Sequence, residues 1–196
     1  GTQNVSVGTF ALDANTTANN NVAVGYQSLG LNTTGASNVA MGTSSLQANT
    51  TGAGNTAMGI DSLAGNTTGA NNTAVGSGAL VANTTAANNT AFGVDAGGAN
   101  TTGAGNTCIG ALAGDSITEG SNNIMIGFQS EVSGATGANQ ICIGIDINAG
   151  GNNNFSFGKA SNVVTNDFDA DADWSRSSDI RLKRNIEDTT LGLSFI

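Results

Sequence analysis

An all-β chain wound as a parallel β-solenoid is the architecture that this sequence favours. A five-residue unit, Asn-Val-Ser-Val-Gly at residues 4–8, recurs in closely similar form at a constant spacing of 17 residues. A repeat of this length, rich in Gly and Asn, is too short for a pair of helices, but it fits one coil of a solenoid. We therefore expect the coils to stack in register, with starts at Asn4, Asn21, Asn38, Asn55, Asn72, Asn89, Asn106, Asn123 and Gln140.

Each coil is expected to contain two short strands joined by tight turns. The five-residue unit supplies one strand, and the surrounding Gly and Asn residues supply the positive φ angles that tight turns need. A leucine lies between this unit and an Asn-Thr-Thr pattern later in the coil. Gly97 replaces the leucine in the sixth coil, and the loops diverge from there. A tenth unit, residues 154–158, follows after only 14 residues. The second pattern, Asn-Thr-Thr, starts at Asn15, Asn32, Asn49, Asn66, Asn83 and Asn100.

Stacking in register places equivalent residues in columns about 4.8 Å apart along the solenoid. The two asparagine positions can then form amide ladders. The residue before each closing glycine belongs to a large apolar column that runs from Val7 to Ile143. The central strand residue, usually Ala, points to the opposite face. One face packs into the coil and the other needs a neighbour, so we expect a close-packed oligomer.

Charge and composition exclude several classes of function. The chain has 14 acidic and 5 basic residues, and every base lies after residue 158. Residues 1–158 cannot neutralise a phosphate backbone, so we expect no binding to nucleic acid or anionic lipid. The absence of His excludes a Ser-His-Asp triad and His-bearing zinc sites. No apolar run approaches the ~18 residues of a membrane span, so no membrane insertion is expected, and neither is a cofactor or metal.

Two smaller signals have structural interpretations. Cys108 and Cys142 occupy equivalent positions two coils apart, about 9.6 Å, which exceeds the ~7 Å limit between bridged Cα atoms. We interpret both as small buried residues in place of Ala. Adjacent threonines such as Thr16 and Thr17 point in opposite directions in a strand, whereas ice-binding faces need two Thr on one side. We interpret them as turn-capping residues, with an ice-binding β-solenoid as an alternative.

The Asn-Thr-Ala-Val-Gly unit, as at residues 72–76, and the Ala-Leu that follows it resemble the head repeats of trimeric autotransporter adhesins and similar repeats in phage tail fibres. The resemblance covers residues 1–158. It implies a left-handed β-roll that associates as a homotrimer and serves attachment to a host or surface. The adhesin heads have a shorter period, so the extra residues here are expected to enlarge the Asn-Thr-Thr-Gly turn.

Residues 159–178 are expected to form an acidic, extended neck. Four acids alternate with other residues and would share one face of such a segment: Asp167, Asp169, Asp171 and Asp173. An EF-hand loop would need Gly at its sixth position and Glu at its twelfth, where this sequence has Ala172 and Ser178. A solvated acidic face therefore explains the pattern better than a calcium site.

Residues 178–183 read Ser-Asp-Ile-Arg-Leu-Lys, directly after the neck. This run resembles the Ser-Asp-x-Arg-x-Lys motif that opens the self-cleaving intramolecular chaperone of endosialidase-type phage tail spikes and fibres. The resemblance implies that residues 179–196 begin a C-terminal chaperone domain, which promotes trimerisation and then cleaves itself off at the Ser178–Asp179 bond. It assigns Ser178 as the nucleophile, Asp179 as the residue after the cut and Lys183 as the assisting base.

These patterns together predict a structural and adhesive segment of a trimeric fibre, located in a virion tail fibre or at a cell surface. Its partners would be two further copies, other tail or fibre proteins, and a cell-surface glycan or protein receptor. The receptor contacts are expected in the diverged loops 111–122 and 128–139. A glycan-depolymerising tailspike is the alternative, but Asp115 and Glu119, the only close acidic pair within residues 1–158, lie in one loop. Beyond a single self-cleavage we expect no enzymatic activity.

Overall fold

A computed structural model describes residues 1–170, and one long β-sheet dominates it. Ten strands of this sheet run parallel, and each pairs with its equivalent in the next coil, as Val22 does with Val39. The predicted parallel β-solenoid of 17-residue coils is therefore confirmed. The strands are β1 (Val5–Val7), β2 (Val22–Val24), β3 (Val39–Met41), β4 (Thr56–Met58), β5 (Thr73–Val75), β6 (Thr90–Phe92), β7 (Thr107–Ile109), β8 (Ile124–Ile126), β9 (Ser130–Glu131), β10 (Ile141–Ile145), β11 (Ile147–Asn148), β12 (Asn154–Lys159) and β13 (Asn162–Asp167).

The strand occupies only one side of each coil. Elsewhere the chain runs through turns in which alternate residues are left-handed, such as Gln27 and Leu29 with φ values of 56° and 50°. These residues interrupt the extended conformation, yet their N–H groups still bond to the next coil, as Leu29 N does to Ser45 O at 3.0 Å. The prediction of two strands per coil is wrong for the coils of β1 to β7. A second strand pair, β9 with β11, forms only near the C-terminal end of the described chain.

The core is a narrow stack of small and branched side chains. In β2 to β8 the central residue of the strand points inward and is buried, and in β2 to β6 it is a fully buried alanine. The leucine of each turn faces this alanine column, and full burial of one leucine contributes about 1.5–3 kcal/mol. The leucines with at most 1% exposure are Leu29, Leu46, Leu63 and Leu80.

Two buried asparagine columns bind the coils to one another. In the column that precedes each strand, Asn38 N donates to Asn21 Oδ1 at 2.9 Å. In the column that opens each Asn-Thr-Thr turn, Asn66 Nδ2 donates to Asn49 Oδ1 at 2.8 Å and to Gly69 O at 3.0 Å. The amides therefore leave water but keep hydrogen-bond partners, as buried polar groups must. The expected amide ladders are confirmed.

The glycine that closes each strand lets successive coils approach closely. Gly76 has a φ of 136°, and a Cβ built on it would lie 2.3 Å from Gly93 O in the next coil. Only glycine combines this backbone conformation with the space available. The repeat of this glycine is therefore a packing requirement of the stack.

A β-hairpin closes the C-terminal edge of the sheet. The tenth unit stays in register despite its shorter spacing, since Ile141 pairs with Phe155. β13 then pairs antiparallel with β12. The sheet thus continues beyond residue 158 into the first part of the segment expected to form the neck.

Candidate functional site

The outer face of the parallel strands is apolar and open to solvent in the single chain. The third residue of each short strand points away from the buried alanines, and Val7 and Phe92 are each 58% exposed. The first strand residue lies on the same side, because side chains alternate along a strand. It is Val or Ile in β1, β2, β3, β8 and β10, and Thr in β4 to β7. We call these two columns the apolar sheet face.

The length of this face distinguishes it from ordinary exposed apolar residues. Ten parallel strands at about 4.8 Å spacing make it roughly 40 Å long. Its outer column is apolar throughout, although the first column is Thr in β4 to β7, and exposed apolar surface of this extent marks an interaction site in a soluble protein. Neither column contains an acid or a base within the described coils, so the face is suited to apolar association. The members of the outer column are Val7, Val24, Met41, Met58, Val75, Phe92, Ile109, Ile126, Ile143 and Phe157.

A second set of exposed apolar side chains directly follows the closing glycines, and the sequence patterns did not identify it. From Tyr26 to Phe128 a large apolar residue occurs there in every second coil, with Thr43, Ser77 and Ala111 in the coils between, and Ile145 follows in the next coil. The sequence does contain this pattern, because these residues recur at twice the 17-residue spacing. These side chains are about half exposed: Tyr26, Ile60, Val94 and Phe128.

The diverged loops contain a half-buried carboxylate. Glu131 stands where the regular repeat places a leucine, and it accepts hydrogen bonds from Asp115 N at 2.9 Å, from Ser116 N at 3.2 Å and from Ser116 Oγ. Burial, and next the contact with the Asp115 carboxyl, raise the pKa of Glu131 to about 7. Asp115 therefore meets Glu131 rather than Glu119.

Both cysteines are buried free thiols, separated along the sheet by Met125. Burial raises the pKa of Cys108 to about 12 and that of Cys142 to about 11. Thiols with such pKa values are poor nucleophiles at neutral pH. Their interpretation as small buried residues is confirmed.

The first threonine of each Asn-Thr-Thr turn contributes to coil stacking. Thr50 Oγ1 donates to Thr67 O in the next coil at 3.1 Å, and five equivalent bonds occur along the solenoid. A hydroxyl engaged by the neighbouring coil cannot serve in an outward-facing pair. This geometry argues against an ice-binding surface on these turns.

The residues expected for self-cleavage lie outside the described part of the chain. Ser178, Asp179 and Lys183 all follow residue 170, as do Asp171 and Asp173 of the acidic alternation. The first two alternating acids are described. Asp167 Oδ1 accepts a hydrogen bond from Asp169 N at 3.0 Å, and Asp169 Oδ2 accepts one from Asn153 Nδ2 at 2.7 Å.

No protein family model, curated protein or solved structure matches the chain. Residues 1–170 contain no helix, and hence none long and apolar enough to cross a membrane. Within the same residues, no three His, Cys, Asp or Glu side chains come together as a metal site would require. The sequence motifs and the geometry of the solenoid are therefore the basis for assigning a function.

Proposed function

We propose that the chain is a structural and adhesive segment of a homotrimeric fibre, on a phage tail or a bacterial surface, that attaches its carrier to a host. The observation that carries this proposal is the apolar sheet face. Three copies around a common axis would remove this face from water, and a closed cyclic arrangement leaves no copy with an unfilled surface. The driving force is burial of apolar area, at about 25 cal/mol per Å².

The solenoid suits a role that holds a receptor-binding surface at a distance. Each coil contacts only its neighbours, so the length of the rod increases with the number of coils. The asparagine ladders and closely approaching glycines join every coil to the next through short contacts. A rod of this kind transmits a load along its axis while its turns remain free to vary.

The trimer is tested by sedimentation equilibrium of the full chain. We expect a mass three times the chain mass of 19.2 kDa. Phe92→Lys places a charge on the apolar sheet face and should dissociate the assembly, because a buried ammonium would have no partner. Thr102→Lys adds the same charge at an exposed turn position and should leave the mass unchanged. A monomeric wild type, or a Phe92→Lys variant with the wild-type mass, would contradict the proposal.

The self-cleaving chaperone part of the proposal is supported by the motif at residues 178–183 and its position after the fibre repeat. Lys183 would remove the proton of the Ser178 hydroxyl, and a lysine serves as a base when partial burial lowers its pKa. The test is the intact mass of the gene product expressed from its natural start to its natural end. We expect a product that ends at Ser178 and an uncut Ser178→Ala variant. An uncut wild type would overturn this part alone.

A further inference from the structure

A shallow groove lies among the turns of the first three coils, and its lining residues are Phe10, Asp13, Gln27, Gly30, Leu31 and Gln47. Its volume is about 160 Å³, and Gly30 is buried at its floor. Phe10 and Leu31 contribute apolar walls and are 54% and 55% exposed. The ring of Tyr26 meets that of Phe10 edge-on at 6.0 Å, which holds the phenylalanine in place.

Polar groups at the rim are free to bind a ligand. Gln47 Nε2 donates to Gln27 Oε1 at 3.1 Å, and this contact orients both amides. It leaves Nε2 of Gln27 and Oε1 of Gln47 without a partner among residues 1–170. The exposed carboxylate of Asp13 also accepts no hydrogen bond from the described chain. The groove therefore combines an aromatic surface with one donor and several acceptors.

The groove results from variation within the repeat. Asp13, Gly30 and Gln47 occupy the same position in successive coils, so a glycine separates two polar side chains about 9.6 Å apart. Further along this column stand Ala64 and Val81, whose side chains leave no equivalent gap, and then Gly98, which has no aromatic ring beside it in the described coils. The groove also uses the column of Phe10 and Gln27. No other described coil places an aromatic ring in that column next to an acid and an amide in the column of Asp13.

We propose that this groove binds one ring of a neutral saccharide. Aromatic rings pack against the apolar face of a sugar, while carboxylate and amide groups exchange hydrogen bonds with its hydroxyls. Residues 1–158 carry seven acids and no base, so an anionic sugar would meet unfavourable charge and no cation to bind it. The volume is below the ~300 Å³ of pockets for drug-sized ligands, which fits a single ring of a longer glycan.

This inference rests on the proposed adhesive function and gives it a ligand class and a site. The site differs from the loops 111–122 and 128–139, where the sequence placed receptor contacts. None of the residues that line the groove belongs to the apolar sheet face, so the proposed trimer interface does not use them.

The test uses saturation-transfer NMR on the full chain with glucose, galactose and N-acetylglucosamine, and with N-acetylneuraminic acid as the anionic probe. We expect at least one neutral sugar to bind and the anionic probe to give no signal. Gly30→Val should weaken binding at least about tenfold by filling the groove. Gly98→Val is the matched control, because it lies in the same column and a Cβ at either glycine would be 3.2 Å from a carbonyl oxygen.

Phe10→Ala provides a second variant with little risk to folding, since the ring is half exposed, and it should also weaken binding. Neutral-sugar binding that is unchanged in both Gly30→Val and Phe10→Ala would overturn the site. Equal binding of N-acetylneuraminic acid would overturn the ligand class. Absence of binding to every sugar would overturn the inference, while the sedimentation mass would still report separately on the fibre.

Discussion

Two regions of the solenoid contribute strands to the same sheet, but different side chains fill their interiors. In the regular coils, residues 21–88, an inward alanine of each strand faces a leucine of the turn. In the diverged coils, residues 89–139, Gly97 and Gly114 replace the leucine, and after Ala91 the inward strand residue becomes Cys108 and then Met125. A Cβ on Gly114 would lie 2.7 Å from Cys108 Sγ and 3.4 Å from Met125 Cγ. Around Gly114, the strand residues Cys108 and Met125 have thus taken the space of the missing leucine together with Ile117, whose Cδ1 would lie 3.0 Å from the same Cβ.

The asparagine ladder of the Asn-Thr-Thr turns also differs between the regular and the diverged coils. It continues from coil to coil as far as Asn100, where Nδ2 donates to Asn83 Oδ1 at 3.3 Å. The next position in the column is Ile117, which is fully buried and has no amide to offer. Asn100 Oδ1 is accordingly buried without a partner within residues 1–170. The stack therefore requires a filled column rather than identical residues, and replacing Asn by Ile117 leaves one buried amide oxygen without a partner in the described part of the chain.

The largest effect should come from the feature that both regions share, the close approach of coils at the strand-closing glycines. Gly76→Ala forces a Cβ against Gly93 O at a φ of 136°, so we expect destabilisation of about 4 kcal/mol or more. Gly134→Ala is the control in a diverged loop, where an added Cβ meets nothing within 4 Å. Urea unfolding of both variants measures the difference. Equal stabilities would show that the coils can separate without cost.

A smaller effect tests whether strand and turn residues share one interior volume. Leu63→Ala in a regular coil should cost about 2–5 kcal/mol, and Ala57→Met should cost about 1–3 kcal/mol by overpacking. In the double variant the methionine can fill the space left by the leucine, as Met125 does beside Gly114. The double-variant cost should therefore fall below the sum of the single costs by at least about 0.5 kcal/mol. Additive costs in denaturant unfolding would contradict the compensation.

Most of the solenoid could be predicted from the sequence because its determinants are periodic. The strand register, the ladders at Asn38 and Asn66, and the burial of Cys108 all follow from residues that recur at one spacing. The single strand per coil could not be predicted in this way. Left-handed residues such as Leu29 lie outside the usual Gly and Asn set, and coil-to-coil hydrogen bonds together with burial of the side chain stabilise them there.

The candidate sites also differ in whether they are formed by residues that repeat from coil to coil. The apolar sheet face was expected from alternation within the strand. The groove beside Gly30 was not, because it depends on three coils that differ from one another at one position. The contact of Asp115 with Glu131 was also missed, since residues 16 apart in sequence became neighbours through stacking. The periodic pattern identifies the residues that repeat. The groove beside Gly30 and the contact of Asp115 with Glu131 depend instead on residues that differ between coils.

The smallest expected effect tests the charge that the diverged coils accept at a core position. Burial and the neighbouring Asp115 raise the pKa of Glu131 from 4.5 to about 7, so the folded chain binds this proton more tightly than the unfolded chain. Its contribution to stability is complete below pH 4.5 and is lost as the pH rises through about 7. Because the carboxyl is partly exposed, solvent screening limits the loss to about 1 kcal/mol.

Glu131→Gln keeps the shape and removes the charge, so its unfolding free energy should lack this component of the pH dependence. The difference in unfolding free energy between the wild type and Glu131→Gln should change between pH 4.5 and about 7. The exposed Glu119→Gln control should follow the wild type over the same range. Parallel curves for wild type and Glu131→Gln would mean that the carboxylate is solvated in the folded chain. The diverged coils would then tolerate Glu131 by exposing it, rather than by protonating it next to Asp115 and Ser116.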